Sequence, residues 1–249
     1  MPRLSAIIIT KNEAANIGAC LDTVAFADER IVVDSGSVDE TVAIAESKGA
    51  RVEFNAFKGF GQQFNHALSL AQGEWVFSID ADERVSEALA AELQHAIDEG
   101  LADGYEMPRL STFCGRPMRH SGWYPDYVLR LWRRGRARWT EDLVHPRPVC
   151  DGAVVRLKQP LDHHPVIRIE QALRRMDHYS TLAADMLVAR GKRVYFLSGF
   201  AHGLWTFART YLLRAGFLDG REGFLLAVAN AEGTYYKYMK AWLAGRRAR

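Results

Sequence analysis

The stretch VFSIDADERVSEAL, residues 76–89, runs apolar for three of its first four positions and then sets down Asp80, Asp82, Glu83 and Arg84 within five residues. A short β-branched and aromatic run bounded by charge reads as a buried strand, and the segment after it, 86–98, carries a helical pattern. An unpaired carboxylate at the tip of so apolar a strand is costly, so Asp80 asks for a partner. In an extended segment two carboxylates one residue apart point to the same side, so Asp80 and Asp82 can address one hard cation, or a cation and a ribose. Mg²⁺ and Mn²⁺ keep waters and phosphate oxygens around them, and one or two protein carboxylates suit a metal–diphosphate complex. The competing reading is that Asp82 or Glu83 merely begins the next helix, and Glu83 and Arg84 are assigned to that start.

The residues before this stretch repeat its grammar. SAIIIT (5–10), RIVVDSG (30–36), RVEFN (51–55) and EWVFSID (74–80) are strand-like and mostly apolar on both faces. Helical patterns lie between and after them, near 14–24, 38–48, 60–71 and 86–98. The order β-α-β-α-β-α-β-α predicts an α/β fold with a mostly parallel sheet, right-handed crossovers and helices on both faces. Sites in such sheets lie at the carboxyl ends of the strands, where Asp34, Asp80 and the segment Thr10 to Glu13 fall.

The pattern changes at Gly104. GYEMPRL and DYVLRLWRRG read as strands, and seven arginines lie between 116 and 138 with Asp126 as the one acid among them; Asp126 reads as an ion-pair partner. From 166 onward there is no strand signal, and helices are expected at 166–190, 195–215 and 221–243. The chain of 249 residues, 48% hydrophobic and 25% charged, is long enough for one large domain or two modest ones. Its three cysteines, Cys20, Cys114 and Cys150, form no C-x-x-C pair and read as reduced and cytosolic. The apolar run near the N-terminus is too short for a signal peptide or a membrane span, so a cytoplasmic location is expected.

The net charge of +2 hides an asymmetry. Residues 1–185 are net −6 and residues 186–249 net +8, with no acid between 186 and 218. The aromatic segment YFLSGFAHGLWTFARTYLLRAGF (195–217) is too interrupted by Gly, His and Arg to cross a bilayer. It fits an amphipathic helix on an anionic membrane surface, or an aromatic helix packed on the rest of the chain or on a second copy. No nucleic-acid reading motif accompanies it, and no nucleic-acid partner is expected.

Each remaining motif has two readings. Asp34 can meet a base or ribose at its strand tip, or hold its own turn as an Asx residue. Ser37 with Glu40, and Thr10 with Glu13, have capping-box spacing. Lys58, beside Gly59 and Gly61, can meet a phosphate or be ordinary loop chemistry. In RWTEDLVHP, Glu141, Asp142 and His145 are candidates for a base that deprotonates a hydroxyl, against a solvated acidic turn. His163 and His164, without a third ligand at suitable spacing, are left structural.

Taken in order, IIITKNEAANIGACL, IVVDSGSVDET, SIDADE and TEDLVHP resemble the family 2 glycosyltransferases of the GT-A fold, across about residues 4–145. GWYPDYVLRLWRRGRARWTEDLVHP and GFLDGREGFLLAVANAEGTYYKYMKAW resemble more narrowly the lipopolysaccharide-core members, which include heptose β-1,4-glucosyltransferases. The resemblance implies that Thr10, Asn12, Glu13 and Asp34 hold base and ribose of a UDP-linked nucleotide-sugar donor, and that Lys58 and Gln63 line the same pocket. It further implies that Asp80, with Ala81 beside it, contacts the ribose or the metal's water shell. Asp82 would bind the divalent metal, Mg²⁺ or Mn²⁺, and Asp142 or Glu141 would be the catalytic base, with Asp142 preferred. The implied organisation is a catalytic domain over 1–165, with a nucleotide-sugar half to 103 and an acceptor half after it, followed by a helical, basic extension over 166–249. The implied reaction is inverting transfer of a sugar, glucose favoured, to a lipid-linked glycan at the inner face of the cytoplasmic membrane, with the arginines between 116 and 138 adding charge for the diphosphate or the acceptor. A nucleotidyltransferase of related fold, or a non-catalytic nucleotide-sugar-binding scaffold at the membrane, are the alternatives.

Overall fold

Ile7, Ile8 and Ile9 sit in the middle of the first strand, and their side chains alternate between the two faces of a sheet. The computed structural model describes residues 3–140, 146–165 and 169–247. It divides the chain into two compact units, Met1–Arg109 with Asp126–His164, and Leu110–Pro125 with Pro165–Arg249. The second unit thus takes the segment 110–125, which the sequence reading assigns to the acceptor half.

In the first unit the strands are β1 (Leu4–Thr10), β2 (Glu29–Asp34), β3 (Arg51–Phe54), β4 (Trp75–Ser78), β5 (Glu83–Val85), β6 (from Gly104), β8 (Asp126–Arg133), β9 (Ala137–Trp139), β10 (Pro148–Cys150), β11 (Val154–Arg156) and β12 (Leu161–His163). The helices are α1 (Ile17–Thr23), α2 (Thr41–Ser47), α3 (Phe60–Leu70) and α4 (Glu87–Glu99). The sheet runs β3-β2-β1-β4-β8-β6-β12-β5. It is parallel through β3, β2, β1 and β4, as expected, and antiparallel where β8 joins β4 and β6. Register pairs Thr10 with Asp34, so the tips of β1 and β2 emerge side by side.

Two apolar clusters cover the faces of the sheet. Ala6, Ile8, Val32 and Phe77 face Ile17 and Leu21 of α1 and Leu89, Leu93 and Ile97 of α4. Ile7, Ile31, Val33 and Val76 face Phe64 and Ala67 of α3 and Trp139. Strands buried on both faces need this continuous apolar composition, and each fully buried large side chain contributes about 1.5–3 kcal/mol. Helix α4 is bounded by local chemistry: the Ser86 hydroxyl accepts from the Leu89 N–H, and Gly100 takes the left-handed conformation at its C-terminal end.

The second unit holds the end of β6 (Gly104–Phe113) paired with β7 (Arg116–Pro117), and three helices, α5 (Ile169–Ala189), α6 (Phe196–Ala208) and α7 (Gly220–Arg247). Helix α6 passes through a π turn, Arg209–Leu213, and a 3₁₀ turn, Gly216–Asp219, before α7. It packs on α7 through small residues: a Cβ at Gly199 would lie 2.7 Å from Met239 Cε, and one at Gly203 would lie 3.2 Å from the Ala231 carbonyl oxygen. Phe200 meets Tyr235 edge-on at 5.0 Å, and His202 stacks on Tyr238 at 4.2 Å. Among the described residues no helix is long and apolar enough to cross a membrane.

Candidate active site

A cavity of about 1010 Å³ opens at the carboxyl ends of β1, β2 and β4, where strand-tip chemistry in such sheets gathers. Thr10, Glu13, Asp80, Ala81 and Asp82 all line it, so five of the residues singled out from the sequence meet there. Ser35, Phe57, Phe60, Arg109, Arg130 and Trp139 complete much of its wall.

The loops that follow β1 and β2 are stitched to each other. Asn12, at φ +56, donates its N–H to Ser37 Oγ at 2.8 Å and accepts the Val38 N–H at 2.9 Å. The Glu13 N–H donates to Thr41 Oγ1 at 2.8 Å. Neither expected capping box forms. Helix α1 begins at Ile17 with no side-chain cap, and the Ser37 hydroxyl donates to Asp34. Asp34 is buried and also accepts the N–H groups of Gly36 and Ser37 at 2.7 and 2.8 Å, which is the Asx-turn geometry. Gln63 is buried behind the wall and donates to Ser35 Oγ at 3.0 Å, while Asn55 donates to its Oε1. Asp34, Asn12 and Gln63 therefore shape the cavity from outside its surface. Lys58 is exposed on the loop between Phe57 and Phe60, which do line it.

The acidic stretch departs most from its sequence reading. β4 ends at Ser78, and residues 80–83 form a turn in which the Glu83 N–H donates to the Asp80 carbonyl at 2.9 Å. The two aspartates consequently part company. Asp80 receives Arg130 Nη2 at 2.5 Å, whereas Asp82 lies 3.4 Å from His163 Nε2. Glu83 does not start a helix: it opens β5, is fully buried, accepts Arg130 Nη2 at 2.6 Å through one oxygen and the Asp80 N–H at 2.9 Å through the other. Arg84 instead donates to the carbonyls of Ala81 and Asn16.

These contacts set the charge states. Burial opposes the Arg130 charge, but the carboxylates of Asp80 and Glu83 hold its pKa above the ordinary arginine value. Complete burial pushes the Glu83 carboxyl up, with Arg130 pulling it down. At Asp82 burial also pushes upward, yet the His163 hydrogen bond and charge outweigh it and leave this carboxyl below the usual range. Arg109, in turn, pairs with Asp126 at 2.6 Å, as expected for that acid.

Thr10 Oγ1, Arg130 Nε and Trp139 Nε1 are buried and lack a hydrogen-bond partner among the described residues. All three residues line the cavity, and a bound polar ligand would satisfy such groups. The expectation that arginines 116–138 serve the site is narrowed. Arg133 pairs with Glu74, Arg136 with Asp103, Arg138 with Asp151 and Arg116 with Glu222; Arg130 alone of the seven lines the cavity. Glu141, Asp142 and His145 lie outside the described residues.

Residues 5–156 match the family model for glycosyl transferase family 2. The chain belongs to that family. Among curated relatives it is 33% identical to the lipopolysaccharide core biosynthesis glycosyltransferase LpsC of Rhizobium meliloti, over 94% of this chain and 93% of that one. It is 30% identical to an uncharacterized glycosyltransferase of Rickettsia felis, over 96% and 89%. Among solved structures, S. aureus TarS 1-349 in complex with UDP-GlcNAc aligns with a TM-score of 0.52 at 16% identity, covering 99% of this chain and 92% of that one, a likeness of fold.

For a family 2 glycosyltransferase, three cavity-side residues had weak sequence signals. Glu83 is the third carboxylate of IDADE, and Arg130 is a single cation inside the apolar run DYVLRLW, a position that calls for a buried partner. His163 reaches Asp82 through the β12–β5 pairing, in which Glu83 stands opposite His163; no spacing along the chain announces that.

Proposed function

We propose that this glycosyltransferase is inverting and divalent-metal-dependent, and that it moves a sugar, glucose favoured, from a UDP-sugar to a hydroxyl of a lipid-linked glycan such as the lipopolysaccharide inner core. The observation that carries the reading is Asp82, held ionised on the wall of a large cavity with the His163 imidazole 3.4 Å away. The carboxylate suits Mn²⁺ or Mg²⁺ completed by diphosphate and water oxygens, and an imidazole beside it favours Mn²⁺ over the harder Mg²⁺. No group of three such side chains occurs among the described residues, so diphosphate and water oxygens would have to complete the shell of a cation held there. A cation held there would offset charge on the departing nucleoside diphosphate.

The chain's own residues supply the rest. Thr10, Glu13 and Ser35 present polar atoms to base and ribose, on a wall that Asn12, Asp34 and Gln63 hold in place; Lys58 lies on the adjoining loop for a phosphate. Arg130 keeps Asp80 fixed beside the ribose and Ala81. Asp142, with Glu141 as the second choice, takes the proton from the acceptor hydroxyl while that oxygen attacks the anomeric carbon and the diphosphate leaves from the opposite face. The lipopolysaccharide-core function of the Rhizobium relative supports the acceptor class.

A site at the inner face of the cytoplasmic membrane follows from the same reading. Helix α6 leaves Leu197, Phe200, Leu204 and Trp205 exposed, with Leu204 at 73%, in a stretch without acids. That composition supports contact with an anionic membrane surface.

The test is donor binding by the purified protein. Mn²⁺ should tighten binding of a UDP-sugar and Asp82→Asn should remove that gain, whereas equal affinity in chelator would end the metal assignment. Asp142→Asn should keep donor binding and lose transfer.

A further inference from the structure

The helical unit contains a second polar cluster, which the transfer chemistry leaves unused. Asp219, in the turn before α7, is 2% exposed. Its carboxylate accepts the Arg119 N–H at 3.1 Å, the His120 N–H at 3.1 Å and the Ser121 hydroxyl at 3.0 Å. The His120 ring nitrogen Nδ1 stands 3.0 Å from Asp219 Oδ1. An ionised carboxylate only accepts, so the proton sits on Nδ1, and Nε2 of this half-buried ring has no partner among the described residues. Ser121 is held at φ +61, and its N–H donates to the Arg214 carbonyl at 2.9 Å.

Two guanidinium groups flank this contact. A Cβ at Gly122, two residues beyond His120, would fall 2.3 Å from Arg214 Nη1. A Cβ at Gly220, directly after Asp219, would fall 3.0 Å from Arg116 Nη1. Glycine at both positions is what lets the two cations lie against the turn. Arg116 faces Glu222 at 3.7 Å, while Arg214 and Arg119 have no carboxylate partner among the described residues. Holding the 119–122 turn requires only Asp219. It does not require a guanidinium without a carboxylate partner, that of Arg214, laid against the same turn two residues beyond a half-buried imidazole.

We propose that His120, Arg214 and Arg116 form an anion site for a phosphate monoester. Planar guanidinium forks match phosphate oxygens, and Nε2 can accept the P–OH proton of a monoanionic phosphate, or donate once protonated. Asp219 is a positioning residue that sets the tautomer. The ester can come from a phosphorylated glycan acceptor or from a phospholipid headgroup. The glycan source rests on the proposed function; the phosphate chemistry does not.

The experiment follows the His120 imidazole resonances of the full-length protein by ¹H–¹⁵N NMR as inorganic phosphate is added, against potassium chloride at matched ionic strength. A saturable shift with phosphate alone is expected, weakened roughly tenfold in Arg214→Gln by loss of a charge-assisted contact, and unchanged in Asp82→Asn. No shift, the same shift with chloride, or an undiminished shift in a folded Arg214→Gln overturns the site. Competition by a hexose phosphate assigns the glycan source, and competition by phosphatidic-acid vesicles but not neutral ones assigns the headgroup. If neither competes, the phosphate is an adventitious ion only and the proposal falls. Phosphate binding at His120 in a protein without transfer activity would sink the proposed function and leave this site standing.

Discussion

Glu83 sets its carboxyl into the floor of the sheet, and its two oxygens tie the Asp80 backbone to the Arg130 guanidinium. Removing one partner of a buried pair leaves the other uncompensated. Glu83→Ala should therefore lower the unfolding free energy by about 3–5 kcal/mol, measured by urea denaturation at pH 7. Asp82 behaves differently because it lies at the cavity surface. Its folded pKa lies below the ordinary 3.8, so its contribution to stability is present above that value and lost as pH falls through the lower, folded one. The stability advantage of the native chain over Asp82→Asn should accordingly shrink as pH drops below 3.8, and a constant difference down to pH values where unfolding begins would refute the pairing with His163. Cys20 offers a simpler check: burial pushes its thiol pKa far up, whereas Cys114 is exposed. At neutral pH a thiol reagent should label Cys114 first and reach Cys20 only on unfolding.

At the scale of elements, the strands and helices were legible because hydrophobic periodicity is a local property. The four parallel strands and helices α1 to α4 fall within a few residues of their expected places. The misreadings lie where one loop bonds another. Ser37 and Thr10 have capping spacing, yet Ser37 donates to Asp34 within its own turn and accepts the Asn12 N–H from the neighbouring loop, and contacts between loops have no period. Ser86 is the cap that does form, and Ser86→Ala should cost about 1 kcal/mol of stability. The α6–α7 contact depends on two small residues. Gly199→Leu should force the helices apart and lower the melting temperature of the helical unit, while Leu204→Ser on the exposed face should leave it unchanged.

At the scale of the whole molecule, charge divides the chain more sharply than any boundary in the sequence pattern, with the basic excess in residues 186–249. If this surface meets an anionic membrane, the protein should sediment with anionic vesicles at low salt, release as ionic strength rises, and bind less after Leu204→Ser with Trp205→Ser. The sequence by itself determined the alternation of strand and helix, the run of acids at a strand tip and the placement of candidate donor residues at one sheet edge, because each follows from local spacing and side-chain type. Only the tertiary structure decided what those acids do. It turned the chain after Ser78, gave Asp80 to Arg130 and set Asp82 against His163, partners 50 and 81 positions along the chain, since a buried charge is governed by whichever group the fold brings within a few ångströms of it.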